Sequence, residues 1–503
     1  MMRSAWRSAL ASVALLAAAS PLAAAPSPAQ DAAFLDALTW GVSPSSFAEL
    51  RTKGRDAWLR EQLHPQAAST LPAEAQALLT AGARDSVAER TFYFEALQRA
   101  ANSEPDPEAR KNAHQYNQAL FNAEARQAAS ATILKALYAP DQLRERLTWF
   151  WFNRFNVHQN KGLVRVWVGD YVDTAIRPHA LGRFRDLLKA TLRHPAMLRY
   201  LDNTDNAAGR INENYAREIM ELHTMGVGSG YTQADVEALA RILTGIGIAN
   251  GREVIRLRPE RRADLIQDGL FLFNPNRHDY GDKVFLGHTI KGRGFGEVEE
   301  ALDLIAHSPA TARNVTRALA TYYLGQPPDD ALAARLAEVF TRSDGDTAAV
   351  MDALIHSEAF AAFREGTFKD SMRYVFSALR MAYDRRVILN TGPVIGWLNR
   401  LGQGLFARST PNGYALDPAA WAGPGQMMAR FEVARQIGSG SAGLFKPASG
   451  DQPDKPAFPL IANGLYFTAL EPALSAATRT AIAQAISPQD WNTLYLASPE
   501  FAR

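Results

Sequence analysis

Residues 212–226 read NENYAREIMELHTMG and have the pattern of an amphipathic helix that ends at a glycine. At about 100° per residue, four polar side chains fall within roughly 100° of one another: Asn214, Arg217, Glu218 and Glu221. Apolar side chains fill most of the remaining arc, and a helix of this kind is buried on most sides. We therefore predict a helix inside a helical core, with a polar stripe that faces a cleft or an internal ion-pair network.

The same helical periodicity extends along most of the chain. It predicts helices over much of residues 30–201 and 295–385, and an aromatic helix over residues 139–153. Residues 149–152 of that helix read WFWF, so the helix is aromatic on all sides. Because a helix that is apolar all round is buried all round, we expect this one to lie at the centre of the core.

Residues 250–290 differ, because short apolar runs alternate there with turn residues. The runs predict short strands over residues 254–257, 269–273 and 283–287. The predicted fold class is therefore mainly α, a large multi-helix domain with a small β-hairpin-like insertion near residues 250–290. We predict a helical core domain over residues 26–385, and a mixed helix and loop part over residues 386–503 that packs on the same domain.

The first 25 residues have the features of a secretory signal peptide. Arg3 and Arg7 form a positive segment, and a short apolar run follows them. Residues 23–25 are all alanine, which suits a small-residue cleavage site. We therefore expect export through a cleaved signal peptide, and a mature protein that is periplasmic or secreted.

Composition excludes several classes of protein. The 503 residues include 54 Lys and Arg, 52 Asp and Glu, and no cysteine. The absence of cysteine excludes thiol catalysis, iron–sulfur clusters and cysteine-ligated zinc. The predicted signal contains two of the arginines and no acid, so the mature chain is neutral, whereas proteins that bind nucleic acid are typically basic. The sequence has no nucleotide-binding fingerprint, so we expect no nucleotide cofactor, and its neutral charge argues against a nucleic-acid partner. After the predicted signal, no apolar segment is long enough to cross a membrane, so we expect no transmembrane anchor.

Several motifs share their order with a known family. Residues 212–226 are followed by GYTQADV at 230–236, and the other matching stretches are 176–187, 278–287 and 410–414. Together they resemble the large bacterial family of domain of unknown function 1800 over nearly all of the mature chain. The resemblance implies a secreted or envelope protein without an assigned activity. Genes of that family often lie beside genes of a sulfatase-like family, and this implies a sulfatase-like protein as a partner.

Two positions depart from the family pattern. The family usually shows Trp-x-Asn-His-Phe where this chain has WFNRF at 151–155, so Arg154 replaces the histidine. The usual arginine before the first glycine turn is Ala37 here. If the family histidine is a metal ligand or a base, this chain lacks it.

Glu218 and Glu221 are the main candidates for chemistry. Two carboxylates one helical turn apart can act as general acid and base when their environments separate their pKa values. Arg217 could bind a carboxylate, sulfate or phosphate group. In the alternative, arginines such as Arg217, Arg154 or Arg241 pair with the two glutamates and hold helices in register.

A divalent metal is a further option at the same helix, with Glu218, Glu221 and His223 as weak candidate ligands. Their spacing matches neither the Glu-x-x-His of ferritin-like sites nor the His pair of zincins. Scattered histidines elsewhere define no ligand spacing: His158, His179 and His194. A haem site is therefore not expected, and the cofactor stays open.

Two other segments supply candidates. His278 and Asp279 lie in a polar turn and are candidates for orienting a substrate, with Lys283 as a binding residue; the alternative is an ordinary hairpin turn. Tyr414 follows the Asn-Gly turn at 412–413 and lies near Trp421, so these two could form an aromatic sugar platform or simply pack a loop. Asn214 and Tyr231 are substrate-binding candidates beside the two glutamates.

These features favour two functions. The first is an exported, carboxylate-dependent enzyme, a hydrolase or lyase that acts on an envelope or extracellular polymer, most plausibly a polysaccharide. The second is a non-enzymatic envelope protein that binds or scaffolds a partner, such as the sulfatase-like neighbour.

Overall fold

The fold comes from a computed structural model that describes residues 26–65, 70–81, 86–249, 251, 255–362, 366–446 and 458–503. The predicted signal peptide at 1–25 lies outside the described residues. Up to residue 200 the α-helices are α1 (Pro28–Leu38), α2 (Pro44–Lys53), α3 (Arg55–Leu63), α4 (Ala73–Ala81), α5 (Val87–Ser103), α6 (Pro107–Tyr138), α7 (Gln142–Arg154), α8 (Val164–Asp170), α9 (Phe184–Arg193) and α10 (Pro195–Tyr200).

The second part of the chain continues this helical pattern. Its α-helices are α11 (Asn214–Glu218), α12 (Gln233–Ile242), α13 (Phe295–Ala306), α14 (Pro309–Leu324), α15 (Asp330–Arg342), α16 (Thr347–Ile355), α17 (Glu358–Ala362), α18 (Ser371–Tyr383), α19 (Gly392–Arg400), α20 (Pro424–Ser439), α21 (Ala476–Ile482) and α22 (Pro488–Leu496). Segments with π-helical hydrogen bonding are Tyr171–Ile176, Ile219–His223 and Tyr466–Leu470. The mainly α fold class is confirmed.

Capping residues explain where many helices begin. Ser27 and Ser43 precede α1 and α2, and each is followed by a proline, which suits the first helical position. Both serine side chains accept a hydrogen bond from the backbone three residues later. Gly54, with φ of 80°, separates α2 from α3. Residues 28–63 therefore form three short helices.

The aromatic helix α7 lies in the core, as predicted. Trp149, Phe150, Trp151 and Phe152 are each at most 4 % exposed. One continuous cluster of buried apolar side chains extends from Ala32 to Phe501 and includes α7. Helices α18, α20 and α22 pack on one another, so residues from both predicted parts of the chain share this core.

The β-insertion consists of two small antiparallel sheets. Strand β3 (Phe271–Phe273) lies between β1 (Ile246–Ile248) and β2 (Ile266–Asp268), with Phe273 opposite both Ile246 and Ile266. Strands β4 (Lys283–Phe285) and β5 (His288–Ile290) form a hairpin. The predictions near β3 and β4 are confirmed. The strand predicted over 254–257 is wrong for residues 255–257, and Val254 lies outside the described residues.

The segment with the polar stripe is a short α-helix that continues into a π-helical turn. Helix α11 passes into the turn Ile219–His223. Thr224 Oγ1 donates to the carbonyl of Ile219 at 2.6 Å, and the Gly226 amide donates to the carbonyl of Met220 at 3.0 Å. Such turns are rare and occur frequently at functional sites. Across the described ranges, no helix combines the length and apolar character needed to cross a bilayer.

Candidate functional site

Arg217 organises the exposed edge of the polar stripe. Its Nη2 atom lies 2.9 Å from Glu213 Oε2 and 2.9 Å from Gln233 Oε1, and its Nη1 atom lies 3.5 Å from Glu221 Oε1. Gln233 also donates to Glu213 at 2.8 Å. Because the Arg217 side chain is 38 % exposed, these are surface pairs of small energy, and a ligand could compete for the guanidinium.

Glu218 is different from its neighbours. It is half-buried, and its carboxylate has no hydrogen bond or ion pair with any residue that the structure describes. Burial raises the pKa of Glu218 above its ordinary value, and the charge of Glu221 raises it further, while Arg217 opposes both. The two glutamates therefore occupy distinct environments, one paired with an arginine and one unpaired.

Two tyrosines border this pair of carboxylates. Burial raises the pKa of Tyr200 to about 12, with the charge of Glu218 contributing, and its hydroxyl donates to the carbonyl of Ser409 at 2.8 Å. Burial also raises the pKa of Tyr231, and the neighbouring charge of Glu221 adds to that effect. The structure thus brings Tyr231 to Glu221, and brings the loop at residue 409 close to Glu218 through Tyr200.

Asn214 has a supporting position at the start of α11. Its side chain is exposed, and its Nδ2 atom donates to the carbonyl of Leu201 at 3.0 Å. The amide therefore ties the beginning of α11 to the end of α10. Of the predicted stripe, Asn214, Arg217, Glu218 and Glu221 all lie on this helical segment, and only Glu218 has no partner among them or among the other described residues.

His223 lies beneath the stripe, where it is 1 % exposed. Its ring packs against Phe155, and its Nε2 atom has no hydrogen-bond partner among the described residues. Burial lowers the pKa of His223 to about 3, with the positive charge of Arg154 contributing. His223 is therefore a neutral core side chain near pH 7.

Arg154 and Asn314 satisfy the end of the π-helical turn. Arg154 Nε donates to the carbonyl of His223 at 2.9 Å, and its Nη2 atom lies 3.4 Å from the carbonyl of Thr224. Asn314 Nδ2 donates to the same Thr224 carbonyl at 2.7 Å. The suggestion that Arg154 pairs with the glutamates of the stripe is therefore wrong, because it caps a helix end instead.

Metal ligation at the stripe has little geometric support. No group of three or more His, Asp or Glu side chains that could hold a metal ion occurs in the part of the chain that the structure describes. His223 lies in the core, whereas Glu221 contacts Arg217 near the surface. The three weak candidates therefore do not form a shared ligand set.

His278, Asp279 and Lys283 belong to a second cluster, in which Glu297 and Arg241 take part. Glu297 lies at the start of α13; its Oε1 atom is 2.9 Å from His278 Nε2, and its Oε2 atom is 2.5 Å from Lys283 Nζ. The side chains of Glu297, His278 and Lys283 are each 0 % exposed. Arg241 pairs with Asp279 at 2.7 Å rather than with the glutamates of the stripe.

Hydrogen bonds satisfy this buried cluster. His278 Nδ1 lies 2.8 Å from the carbonyl of Thr244, and Glu297 Oε1 also accepts from the amides of Arg293 and Gly294. Burial by itself would raise the pKa of Glu297, but the hydrogen bonds from His278 and Lys283 outweigh it and hold that pKa below its ordinary value. The cluster has the character of an internal ion-pair network.

Helix α12 connects the two clusters. Gln233 at its first turn contacts Arg217 of the stripe, and Arg241 at its last turn contacts Asp279. These positions are eight residues apart, which is about 12 Å along a helix. A capping box begins α12, because Thr232 and Asp235 bond reciprocally. The predicted catalytic residues therefore lie at two separate places.

Tyr414 and Trp421 lie at a third place, a cavity of about 20 Å³ that we call the aromatic pocket. The Tyr414 ring stacks near Trp149 with centroids 6.4 Å apart, and the Trp421 ring lies 6.1 Å from Tyr414. Asn153 holds this loop, because its side chain donates to the carbonyl of Tyr414 and accepts from its amide. Besides Asn153, five polar residues line the pocket: Tyr322, Thr367, Asp370, Arg373 and Gln403.

Sequence reasoning did not identify these five polar residues or Glu297 as site residues. Except for Gln403, which belongs to the family motif at 401–403, they lie at 297–373, outside the motifs, and their types are common in helices. Only Glu297 had a local signal, since an acidic residue in the first turn of a predicted helix often caps it. The partners that give the others a role come from α7, α14 and α18, which no spacing in the sequence connects.

Comparison with known proteins gives one match. The family model described as Protein of unknown function (DUF1800) matches residues 33–503. No curated protein matches the chain, and no solved structure matches it. The matched range includes the polar stripe, the buried ion cluster and the aromatic pocket.

Proposed function

The chain belongs to the DUF1800 family, and we propose that this member is an exported, carboxylate-dependent enzyme that acts on an envelope or extracellular polysaccharide. The observation that carries the proposal is Glu218, a half-buried carboxylate with a raised pKa and no partner among the described residues. Keeping an unpaired carboxylate partly out of water lowers stability, and a catalytic role would explain why this chain keeps it.

Glu218 and Glu221 differ in the way that general acid–base pairs differ. In hydrolysis, protonated Glu218 gives its proton to the glycosidic oxygen while the bond from that oxygen to the sugar breaks. A water molecule adds to the sugar carbon and gives a proton to the Glu221 carboxylate. Exchange with solvent then restores both groups, so no further reactant is needed.

Neighbouring side chains suit this assignment. Arg217 is 38 % exposed and can move between Glu221 and an acidic group of a substrate. Tyr231 borders Glu221, and Tyr200 connects Glu218 to the loop at Ser409. We assign His278, Asp279 and Lys283 to positioning roles, in which their buried cluster fixes α12 beneath the stripe.

Turnover by Glu218→Gln tests the proposal. The full-length gene is expressed, and the exported protein is assayed on peptidoglycan, alginate, polygalacturonate and a neutral glucan. New reducing ends report hydrolysis, and ultraviolet absorbance of unsaturated ends reports lyase activity. We expect wild-type turnover on at least one polymer and a loss of about 10²–10⁴-fold in Glu218→Gln.

Glu213→Gln is the matched control. Glu213 also contacts Arg217 and lies on the same edge, but it is paired and partly exposed, so its loss should leave turnover close to that of the wild type. Equal turnover in wild type and Glu218→Gln would contradict the proposal. Failure of the wild type on every polymer would also contradict it.

A non-enzymatic binding protein is the second candidate, and the internal ion-pair network favours it. His278 and Lys283, which were predicted to contact substrate, are instead fully buried against Glu297, as expected for a structural scaffold. On this account the wild type and Glu218→Gln capture the same polymer equally, and neither converts it. A sulfatase-like partner stays a prediction of the family resemblance, to be tested by co-purification from periplasmic extract.

A further inference from the structure

We propose that the outer side of helix α20 and the groove beside it form a surface that binds the anionic headgroups of a phospholipid membrane. The surface combines a row of exposed apolar side chains on α20 with a basic groove between α19 and α20, and we call it the α20 face. Neither helix contributes to the stripe that contains Glu218, so the inference does not rest on the proposed catalysis and uses only the predicted export.

Helix α20 leaves a row of apolar side chains in water. Met427, Met428 and Phe431 are 37 %, 73 % and 46 % exposed. At about 100° per residue, these three side chains and Arg435 fall within about 100° of one another, and most of the residues that α20 buries lie outside this arc. A single exposed apolar residue needs no explanation, whereas a row of them on one side of a helix indicates contact with a partner or a membrane.

A groove of about 480 Å³ runs along the same helix, with walls from α19, α20 and the loop at 441–442. Trp397 Nε1 of α19 donates to Gln436 Oε1 of α20 at 2.8 Å, which fixes the distance between the two helices. Gly396 keeps the groove open, because a Cβ atom there would have no other heavy atom within 4 Å. The volume lies within the range of about 300–1,000 Å³ that is typical of ligand sites, so a lipid headgroup fits.

Each helical wall of the groove carries an arginine. Arg400 of α19 is exposed, and it has no hydrogen bond or ion pair with any residue that the structure describes. Arg435 of α20 contacts the Glu432 carboxylate at 2.9 Å and 2.7 Å. Hydrogen bonds from Arg435 and Gln436 lower the pKa of Glu432 to about 2, and the charge of Arg400 adds to that effect. Two cations therefore share one carboxylate, and a phosphate group suits the guanidinium that is left over.

The chain around the groove is basic. Residues 386–446 contain six Lys and Arg but two Asp and Glu, whereas the predicted mature chain as a whole is neutral. The amides of Leu389 and Asn390 both donate to the carbonyl of Leu444 at 2.9 Å, so the segments before α19 and after α20 meet. Arg386 and Lys446 lie within three residues of this junction. A local excess of positive charge attracts a protein to a surface of anionic lipids.

The two features together favour a membrane over other occupants. Arg435 belongs to both, since it lies on the apolar arc of α20 and also lines the groove. At a membrane surface, Met428 and Phe431 enter the boundary of the acyl chains while the arginines contact phosphate. An acidic polysaccharide would fill the groove and leave the apolar row in water. A second copy of the chain would cover the apolar row and bring two positive grooves together.

Co-sedimentation with vesicles tests the inference on the full mature protein. One set of vesicles contains phosphatidylcholine alone, and the other contains phosphatidylcholine and phosphatidylglycerol in equal parts. We expect binding to the mixed vesicles to be tighter by about tenfold or more, and to weaken as salt is added. Equal binding to the two kinds of vesicle, or no binding to the mixed vesicles, would overturn the inference.

The double variant Met428→Ser and Phe431→Ser tests the apolar row. It should weaken binding to the mixed vesicles by about tenfold or more, because two inserted side chains are lost. Ile486→Ser is the control, since Ile486 is 94 % exposed but lies on neither α19 nor α20. All three side chains are exposed, so the thermal midpoints should stay close to that of the wild type. Equal weakening in the double variant and the control would contradict the assignment of the row.

Arg400→Gln tests the basic groove. The variant should weaken binding to the mixed vesicles by about fivefold, which is the contribution of one cation near an anionic lipid surface. Arg335→Gln is the matched control, because Arg335 on α15 is also exposed and has no partner among the described residues. The same loss in both variants would mean that net charge alone determines binding, and the groove assignment would fail.

The other two occupants would give different results. Retention on alginate that Arg400→Gln weakens, without binding to the mixed vesicles, would replace the membrane by an acidic polysaccharide. A dimer in analytical ultracentrifugation that the double variant dissociates, again without vesicle binding, would replace it by a second copy of the chain. Either result would overturn the inference.

Glu218→Gln separates this inference from the proposed function. The variant should bind the mixed vesicles as tightly as the wild type does, since Glu218 does not line the groove. Vesicle binding without any turnover in the wild type would leave the α20 face intact and refute the enzyme. Turnover without vesicle binding would refute the α20 face and leave the enzyme intact.

Discussion

Arg154 Nε donates to the main-chain carbonyl of His223 across 2.9 Å and places a cation at the end of the π-helical turn. A positive charge is favourable at the C-terminal end of a helix. The position that departs from the family pattern therefore has a structural role in this chain. The same charge also helps to hold His223 neutral.

We predict that Arg154→Met raises the pKa of His223. Burial is the main cause of the low pKa, about 3, and the charge of Arg154 is the second cause. Removing the charge of Arg154 leaves His223 buried, so the pKa of His223 should rise but stay below the ordinary histidine value. An NMR titration of the His223 ring measures it. Asn314→Ala, which removes an uncharged donor to the neighbouring Thr224 carbonyl, should leave the pKa where it was.

His223 should also make the protein sensitive to acid. Above the ordinary histidine pKa of about 6.5, His223 is neutral in both the folded and the unfolded chain, so its protonation does not lower the free energy of unfolding. Below pH 6.5 the histidine binds a proton in the unfolded chain, whereas in the folded protein it stays neutral down to about pH 3. The free energy of unfolding therefore falls by about 1.4 kcal/mol per pH unit over this interval.

Denaturant unfolding between pH 7 and pH 4 measures this loss. His223→Phe, which keeps a ring beside Phe155, should lose stability less steeply than the wild type over that interval. The exposed His356→Gln serves as the control and should follow the wild-type curve. If the free energy of unfolding of His223→Phe fell with pH as steeply as that of the wild type, other groups would cause the acid sensitivity.

Glu297→Gln should be strongly destabilising. The substitution leaves Lys283 and His278 buried without their carboxylate, and breaking a buried pair costs about 3–5 kcal/mol. The thermal midpoint should fall by several degrees. Glu300→Gln lies on the same helix, where Glu300 pairs with Arg293 near the surface, and it should change the midpoint little. Similar midpoints for the two variants would contradict the assignment of a structural ion cluster.

Gly413→Ala should disturb the aromatic pocket. Gly413 has φ of 69°, and a Cβ atom there would lie 2.1 Å from the carbonyl oxygen of Asn153. Gly402→Ala is the control, because φ is 73° there and the nearest atom would be 3.7 Å away. Both variants bear the left-handed strain of about 1–2 kcal/mol, and only Gly413→Ala adds a backbone clash. Its thermal midpoint should fall further, with a change in the fluorescence of Trp149 and Trp421.

Local signals predicted much of the helical framework. Helix α14 lies within the range 295–385 that was predicted to be helical, and local residues set its ends: Ser308 caps it, Pro309 starts it and Gly325 ends it in a left-handed conformation. The periodicity of α6 and the aromatic run of α7 predicted their positions equally well. In these segments the neighbouring residues alone determine where a helix begins and ends.

Features that depend on distant partners could not be predicted. The π-helical turn at 219–223 is stabilised by capping from Arg154 and Asn314, which belong to other helices. All five strands have three residues, and β1, β2 and β5 lack the apolar run that marks β3 and β4 in the sequence.

The site shows the same division between local and distant contacts. The contact of Arg217 with Glu221 follows from a spacing of four residues. The missing partner of Glu218 depends on tertiary packing, as does the contact of His278 with Glu297. A sequence shows which groups are near in the chain, and it does not show which buried group is left unpaired.

The thermal midpoint of Glu218→Gln against wild type tests the central claim most directly. Because the pKa of Glu218 is raised in the folded protein, ionising this side chain destabilises the fold. The destabilisation is absent below the pKa of about 4.3 in the unfolded chain, and it grows as the pH rises through the pKa of Glu218 in the folded protein. We therefore predict equal midpoints near pH 4 and a higher midpoint for Glu218→Gln at pH 7. A fall of several degrees at pH 7, like that expected for Glu297→Gln, would show that Glu218 is a structural ion-pair partner and would contradict the account.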